Sequence, residues 1–494
     1  MVPPVRGEVA SQVIPLFYQK LQSHNNHYLG SLTLLVVDYV AIILALLSAW
    51  QLRSTILPYF FPELPPFHIS GNYIFAVIPI TFLLFLLFEG MYTRRLPFWQ
   101  SAEIIFRICT YVTILAVWIL YFLKSGHVSR IFLTMAWLLS FIFLSCSRFY
   151  AKRILANIGL WQKPVIIIGA GKTAEMLAKS FAEEPNLGYK IYGLIEDNVG
   201  ERPLLTKYPY LGSFMDAEAA VVQSGIQDII IAAPGLDHNK LLQLVFRLQP
   251  HVKNLVIVPN LIGLPIGNLE AETIFNEKAI LLRVRNNMKA WYNKVFKRML
   301  DLFGSVVGGI CIIPILLFIS IAIYVSSPGP IIFAHQRVGR KGEFFSCYKF
   351  RSMITNSQEV LAQYLAINPE AREEWEKDFK LKNDPRITKV GKFLRKTSLD
   401  ELPQLLNVLK GEMSLVGPRP IVEKEVEKYG EYINDYYLVR PGMTGYWQVS
   451  GRNDVDYDTR VQMDSWYVRN WSFWMDIVML IKTVNVVLGR KGAY

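Results

Sequence analysis

Four long apolar runs dominate the first third of the chain: Leu32–Trp50, Tyr73–Met91, Ile104–Leu123 and Ile131–Cys146. Each is 16 to 20 residues long, and a helix needs about 20 residues to cross about 30 Å of hydrocarbon. The pattern then changes. Short β-branched runs at Pro164–Ile168, Ile191–Ile195, Asp228–Ala232 and Asn254–Val258 alternate with helix-like stretches such as Ala174–Glu183. That alternation predicts a parallel sheet with crossover helices. A fifth apolar run, Leu302–Val325, interrupts the remaining, mostly polar sequence.

Charge orients the first four runs. Arg94 and Arg95 lie between the second and third, and Arg148, Lys152 and Arg153 follow the fourth. Only Arg53 lies between the first and second, while Lys124 and Arg130 are a mild violation. The balance places both ends of the bundle in the cytoplasm. About 30 mostly polar residues precede the first run, against a cleavable signal peptide. Asp38 lies inside the first run, where lipid exposure is costly, so it is expected against a neighbouring helix or the interface.

The first strand runs into Gly169-Ala170-Gly171-Lys172-Thr173-Ala174 and then a helix, the G-x-G-x-x-[GA] arrangement of a nucleotide-binding turn. Glu196-Asp197 closes the second strand. The glycines serve equally to pack helix against strand, and close packing is the favoured reading because a second mononucleotide half is not evident.

In the fifth run, Pro314 removes a helix hydrogen bond mid-run. Either the run spans, putting everything after Ser326 outside the cell, or it bends back at Pro314. Access to nucleotide-activated substrates favours re-entry.

The chain has 494 residues, is 52% hydrophobic and carries a formal charge of +12. Its mean hydropathy is +0.27. This balance suits a phospholipid membrane and phosphate substrates. No nucleic acid partner is expected, since no helix-turn-helix, zinc or aromatic RNA signature is present. The four cysteines, Cys109, Cys146, Cys311 and Cys347, show no C-x-x-C spacing.

Four clusters carry candidate chemistry. His335-Gln336-Arg337-Val338-Gly339-Arg340 follows a strand-like segment. In Cys347–Met353, Lys349 and Arg351 alternate with Tyr348 and Phe350, so on a strand both cations share one face. Arg395 and Lys396 precede the adjacent carboxylates Asp400 and Glu401. In Ser414–Pro420, Gly417 and Pro418 lead to Arg419, held between two prolines as a rigid fork for phosphate oxygens. Ser398-x-x-Glu401 reads as a capping box, with Asp400 as an alternative cap because of Pro403. Either way the acids would sit at a positive helix end. Acid pairs beside Arg and Lys suit phosphate and divalent-metal chemistry, one acid attacking phosphorus and the other holding Mg²⁺.

These clusters, with Arg440-Pro441-Gly442-Met443-Thr444-Gly445-Tyr446-Trp447-Gln448-Val449-Ser450-Gly451-Arg452, closely resemble the bacterial sugar transferase family, the polyprenyl-phosphate hexose-1-phosphate transferases. The resemblance covers about Lys297 to Tyr494, and the preceding segments resemble the large members. Ile313-Pro314 departs from the Ser-Pro often found at the family's re-entrant break. The resemblance implies transfer of hexose-1-phosphate, leaning to galactose, from a UDP-sugar to undecaprenyl phosphate, with release of UMP. By it Asp400 is the nucleophile, Glu401 carries Mg²⁺, Lys349, Arg395 and Arg419 stabilise phosphate charge, and Arg337, Arg351, Gly417 and Pro418 bind substrate, with Asp400 also near the metal. It implies the bacterial inner membrane, with the catalytic domain on the cytoplasmic face.

The expected fold is therefore a membrane protein, α plus α/β. It has a four-helix transmembrane bundle (1–155), a Rossmann-like α/β domain (156–290), and a re-entrant membrane helix with a cytoplasmic, mostly helical catalytic domain (291–494). Asp454, Asp456 and Asp458 lack the glycine turn and bidentate Glu of a calcium loop and read as a solvated acidic loop. Trp466, Tyr467, Trp471 and Trp474 beside an apolar helix read as a lipid-interface belt. The charged linker Asn356–Asp384 reads as a solvated face or a homodimer contact. The competing functions are a membrane-anchored NAD-dependent nucleotide-sugar dehydratase or oxidoreductase, which would need a Tyr-x-x-x-Lys pair not evident here, and a transporter, which the near absence of central charges in the spans disfavours.

Overall fold

The computed structural model describes residues 14–122, 129–200, 202–260, 269–274, 279–284, 286–378, 381, 384–450 and 455–489. Contacts divide the chain into two compact units, Met1–Asn260 and Leu261–Tyr494.

In the first unit, three helices are long and apolar enough to cross a membrane: Tyr28–Phe60, Phe98–Phe122 and Arg130–Asn157. The second expected run is shorter than anticipated. Its helix covers only Tyr73–Phe88 and is followed by a turn with Gly90 at φ 66°. Sixteen residues rise only about 24 Å. The fourth helix able to span is in the second unit, Trp291–Ser326. Leu123 and Lys124 lie outside the described residues.

Asp38 is fully buried and accepts from Arg148 Nε (2.9 Å) and Nη2 (2.6 Å) in a two-pronged pair. Arg148 Nη1 also donates to the Met91 carbonyl. The pair joins two helices 110 positions apart, which explains how lipid-embedded sequence tolerates a carboxylate. The buried apolar core of the same helices includes Ile42, Leu46, Leu86, Ile105, Ile108 and Leu144.

The rest of this unit is a five-stranded parallel sheet flanked by helices. Its strands are β1 (Lys163–Ile168), β2 (Tyr189–Ile195), β3 (Tyr210–Gly212), β4 (Asp228–Ile231) and β5 (Asn254–Ile257), in the order β3-β2-β1-β4-β5. The four anticipated strands are present, and β3, three residues long, is an addition. β1 is buried on both faces, as its unbroken Val-Ile-Ile-Ile run requires. Gly169 has φ 103°, and a Cβ there would meet the Ala232 carbonyl at 2.8 Å. The tight turn therefore lets the end of β1 approach the backbone that follows β4.

In the second unit, β6 (Leu269–Ile274) and β7 (Ala279–Val284) form an antiparallel pair. Helix Trp291–Ser326 runs unbroken through Pro314. Its two ends pack on the same globule. Lys297, Asp301 and Ser305 are buried near its start, and Ile319 and Ile323 near its end. Its middle is bare, with Val306, Val307, Ile310, Ile313, Ile315, Leu317 and Phe318 all exposed. The globule contains the hairpin β8 (Ile332–Val338) and β9 (Phe344–Phe350), a short parallel pair β10 (Ser414–Val416) and β11 (Gly442–Thr444), and several helices.

Trp471 and Tyr467 are each 1% exposed and belong to this core. The interface-belt expectation is corrected for both: Trp471 Nε1 (3.1 Å) and Tyr467 OH (2.7 Å) donate to Asp476, which keeps their polar ends inside. Asp476 is itself paired with Lys297 at 2.7 Å. Asp456 caps helix Tyr457–Asn470 by accepting from Thr459 N–H (2.9 Å), while Asp454 lies outside the described residues. The linker forms two helices, Ser357–Ile367 and Pro369–Asp378, and Lys380 and Lys382 lie outside the described residues.

Candidate active site

The acid pair does not cap a helix. Helix Lys389–Thr397 ends at Ser398, whose φ of 55° is left-handed and whose side chain makes no capping bond. Leu399–Glu401 then forms a single tight 3₁₀ turn, and Pro403 opens helix Gln404–Lys410. The expected capping box is therefore not formed, because Ser398 is used to end one helix rather than begin another. Asp400 is not a cap either.

Asn407 holds this turn against the hairpin. It is fully buried. Its Oδ1 accepts from Tyr348 N–H (3.0 Å), and its Nδ2 donates to the Ser346 carbonyl (2.7 Å) and to Glu412 Oε2 (2.6 Å). Arg298, on the long apolar helix, donates to the last carbonyls of the same short helix, Val408 (2.7 Å) and Leu409 (2.9 Å). With helix Gln404–Lys410 fixed on β9, Lys349 Nζ reaches Glu401 Oε1 at 2.7 Å.

Arg395 approaches from the preceding helix and donates through Nε to Ser352 Oγ at 2.9 Å. Gly391, on that helix, lies so close to Ser352 that a Cβ would strike the Ser352 carbonyl. Burial, and then Glu401, raise the Asp400 pKa to about 6 against the opposing pull of Lys349 and Arg395. The structure thus gathers Asp400, Glu401, Lys349 and Arg395 into one electrostatic group. Two adjacent carboxylates under two cations can supply an oxygen nucleophile and bind a phosphate or a hard cation.

Arg351 points elsewhere. β9 ends at Phe350, so strand alternation does not carry Arg351 onto the face of Lys349. Its Nη2 donates instead to the Ser327 carbonyl at the exit of the long helix.

Gly417, Pro418 and Arg419 form a second group with Arg337. Gly417 N–H donates to Thr444 O and Gly442 N–H to Pro418 O, each at 2.8 Å. Beneath them, Asp301 Oδ1 accepts from Ser414 Oγ and Leu415 N–H (both 2.9 Å), and Lys297 donates to the Val416 carbonyl (3.0 Å). Arg337 Nη1 donates to Pro420 O (3.4 Å) and pairs with Glu425 (3.8 Å). Burial and then Arg419 lower the Arg337 pKa, against Glu425. Arg419 and Arg460 both lie over the Trp447 ring, at 5.9 and 4.2 Å.

The hairpin connects the two groups. Arg337 pairs with Phe345, and Lys349 lies four residues further along β9 on the same face, roughly 13 Å away. Between them Cys347 feels burial, Lys349, Arg337 and Glu401 in turn. Asn407, Ser352, Arg298 and Arg460 were not anticipated as site residues. The buried Asn inside Leu405-Leu406-Asn407-Val408-Leu409 was the available signal, a polar residue on an apolar helix face. Among the described residues no cluster of three or more His, Cys, Asp or Glu is poised for a metal. The two carboxylates fit Mg²⁺, which retains waters and binds through one or two carboxylates plus substrate phosphates.

Paired carboxylates under Lys and Arg, on a globule gripping both ends of an apolar helix, define a membrane-associated enzyme of phosphate-group transfer. The model of the bacterial sugar transferase family matches residues 292–490, and one described as a CoA-binding domain matches residues 69–259. The chain is 43% identical over 82% of its length to the undecaprenyl-phosphate galactose phosphotransferase of Salmonella typhimurium, covering 84% of that protein. It is 40% identical to the UDP-galactose-lipid carrier transferase of Erwinia amylovora, over 82% of this chain and 84% of that one. It is 32% identical to the UDP-glucose:undecaprenyl-phosphate glucose-1-phosphate transferase of Escherichia coli, over 69% and 71%. The chain belongs to the bacterial sugar transferase family and is a phosphoglycosyl transferase. In the segment matched as CoA-binding, the Ala170 amide at the glycine turn already donates to Glu196 Oε2 at 2.6 Å, so this donor is not free for a diphosphate.

Proposed function

We propose that this protein transfers galactose-1-phosphate from UDP-galactose to undecaprenyl phosphate, the first membrane step of a bacterial surface polysaccharide. The observation that carries the reading is the acid pair of Asp400 and Glu401 under Lys349 and Arg395. The names of the relatives in Salmonella typhimurium and Erwinia amylovora support the substrates.

Asp400 attacks the sugar-bearing phosphorus. A bond forms between its carboxylate oxygen and phosphorus, and the bond to the bridging oxygen breaks, releasing UMP with the electron pair. A phosphate oxygen of undecaprenyl phosphate then attacks the same phosphorus and displaces Asp400, which regains its carboxylate. Undecaprenyl diphosphate-galactose leaves. Lys349 and Arg395 lie where charge shifts onto the phosphoryl oxygens, a contribution worth about 10²–10³ in rate for one well-placed donor. Mg²⁺ would be held by Glu401, with Asp400 nearby, and would neutralise phosphate charge when bound. In this reading Arg337 and Arg419 bind a second anionic portion of the substrate.

The long helix acts in this reading as a re-entrant element. One face of its start packs on Val416 and Asp476 and one face of its end on Phe350 and Leu394, while its middle is bare. A helix crossing the bilayer would put these two ends on opposite sides, so packing of both on one globule supports re-entry, with Pro314 bending a helix that stays continuous through it. Both substrates then meet at the cytoplasmic face of the inner membrane. The parallel sheet of the first unit, with its crossover helices, is Rossmann-like in this reading and serves organisation rather than chemistry.

The test is incubation of the purified protein with radiolabelled UDP-galactose or UDP-glucose, Mg²⁺ and undecaprenyl phosphate, followed by organic extraction. Label should enter the lipid phase with release of UMP, more from UDP-galactose. Release of UDP, or full activity of Asp400→Asn, overturns the mechanism.

A further inference from the structure

Asp464, on helix Tyr457–Asn470, takes no part in the acid pair, yet it is a fully buried carboxyl, 1% exposed. Tyr429 OH donates to its Oδ2 at 3.0 Å. Oδ1 is buried and makes no close hydrogen bond among the described residues. Burial lifts its pKa to about 7, against the Tyr429 hydroxyl, the Arg419 backbone N–H, and the Arg460 and Arg419 guanidiniums. Buried charge is costly, and a carboxylate kept only for packing would be paired on both oxygens. The cations that offset this one belong to the second arginine group of the site.

Asp464 acts on that group by two routes. The first is direct. Its charge is favoured by the backbone N–H of Arg419, whose neighbours Pro418 and Pro420 already restrict the turn. The second passes through Tyr429. This tyrosine closes helix Glu423–Tyr429, and Glu425 on the same helix accepts from Val422 N–H at 2.9 Å and pairs with Arg337 at 3.8 Å. One turn before Asp464 on its own helix, Arg460 lies 4.2 Å over the Trp447 ring that Arg419 overhangs at 5.9 Å. Two arginines of the group, and the helix that holds the third, therefore converge on one buried carboxylate.

We propose that Asp464 is a positioning residue for the sugar nucleotide: its carboxylate fixes the Arg419 backbone and, through Tyr429, the helix whose Glu425 holds Arg337. The inference rests on the reading of Arg337 and Arg419 as the second anion-binding group. Position and charge pull in opposite directions here. A carboxylate lowers the positive potential of the group, so if its charge alone mattered, neutralising it would tighten substrate binding. If it holds Arg419 in place, neutralising it weakens binding.

The test measures kcat and KM for UDP-galactose between pH 6 and pH 8.5, with the full chain in lipid nanodiscs. Asp464→Asn keeps the size of the side chain and can still accept from Tyr429. It should raise KM about tenfold at pH 8, with kcat changed by less than about twofold. In the wild type KM should fall as pH rises through about 7, where the carboxylate forms, and in Asp464→Asn it should stay high and flat. Burial pushes the neighbouring Tyr429, Tyr436 and Tyr457 well up, so none of them titrates in this window. Folding is read separately. The Asp464 pKa is raised from 3.8, so its contribution to stability is lost as pH climbs to about 7, and Asp464→Asn should unfold no lower than wild type at pH 8. Tyr429→Phe removes a hydroxyl that favours the carboxylate and should move the midpoint of the KM profile to higher pH. An unchanged or lower KM in Asp464→Asn, or an unmoved midpoint in Tyr429→Phe, overturns the proposal. Arg419→Gln separates the two readings. It should raise KM by itself, and adding Asp464→Asn to it should change nothing more. If Arg419→Gln leaves KM unchanged, the reading of Arg419 falls and this inference with it. A raised KM there beside a normal KM in Asp464→Asn sinks the positioning role alone.

Discussion

Lys349 Nζ and Glu401 Oε1 stand 2.7 Å apart although 52 positions separate them in the chain. Their meeting depends on Asn407, which binds both neighbours of Cys347 on β9 and so locks the acid-bearing turn to the strand. Replacing Lys349 with Met removes the cation nearest the pair. We expect kcat to fall about 10²–10³-fold. The Asp400 pKa should also rise, because Lys349 holds it down. The pH–rate profile of the variant should shift alkaline, and an unchanged profile would place Lys349 outside the electrostatics of the nucleophile.

Asp400 also predicts the pH dependence of the wild type. Attack needs the carboxylate, so kcat/KM should rise as pH passes about 6. Stability runs the other way. The folded pKa lies above the unfolded value of 3.8, so between about 4 and 6 the folded state binds more protons than the unfolded one. This group's contribution to stability is therefore full below about 4, declines as pH rises towards 6, and is flat above. Asp400→Asn should be more stable than wild type at pH 7.5 by about 1–3 kcal/mol, with no gain at pH 4. Calorimetry at the two pH values measures the difference.

Asn407→Leu should be among the most damaging changes in the second unit. It leaves Tyr348 N–H, Ser346 O and Glu412 without their partner in a fully buried place. A loss of about 2–4 kcal/mol is expected. In the fraction that stays folded, kcat should drop with KM for the UDP-sugar little changed, since the turn and not the second arginine group is released.

Lys297→Met removes the counter-charge of Asp476 and one of the donors to the Val416 carbonyl beneath Gly417, which keeps Ser414 Oγ and Tyr467 OH. Breaking one side of a buried pair costs about 3–5 kcal/mol. The accompanying Asp476→Asn should recover part of that loss, and simple additivity in the double-mutant cycle would disprove the coupling.

Ser398→Gly should stabilise. Ser398 occupies φ 55°, where a Cβ is unfavourable and glycine is not. A gain of about 0.5–1 kcal/mol is expected, with the Asp400 turn unaltered in its hydrogen bonds.

Much of this was legible along the chain. The four β-branched runs at Pro164–Ile168, Ile191–Ile195, Asp228–Ala232 and Asn254–Val258 all form strands; β1 and β4, at the centre of the sheet, are buried on both faces as their continuous apolar runs require, while β5 lies at the exposed edge. The candidate residues Asp400, Glu401, Lys349 and Arg395 stand out by composition and spacing, and they meet. The tertiary structure decided what local pattern cannot express. It paired Asp38 with Arg148, divided Arg337 and Arg419 from the acid group, turned Arg351 to the Ser327 carbonyl, and drew Tyr467 and Trp471 inward onto Asp476. It also made Ser398 end a helix where its sequence reads as a cap. Hydrophobic periodicity is a property of neighbours and survives in any compact arrangement. The partner of a buried charge or amide is fixed only when distant elements pack, since each must find its donor or acceptor within about 3 Å.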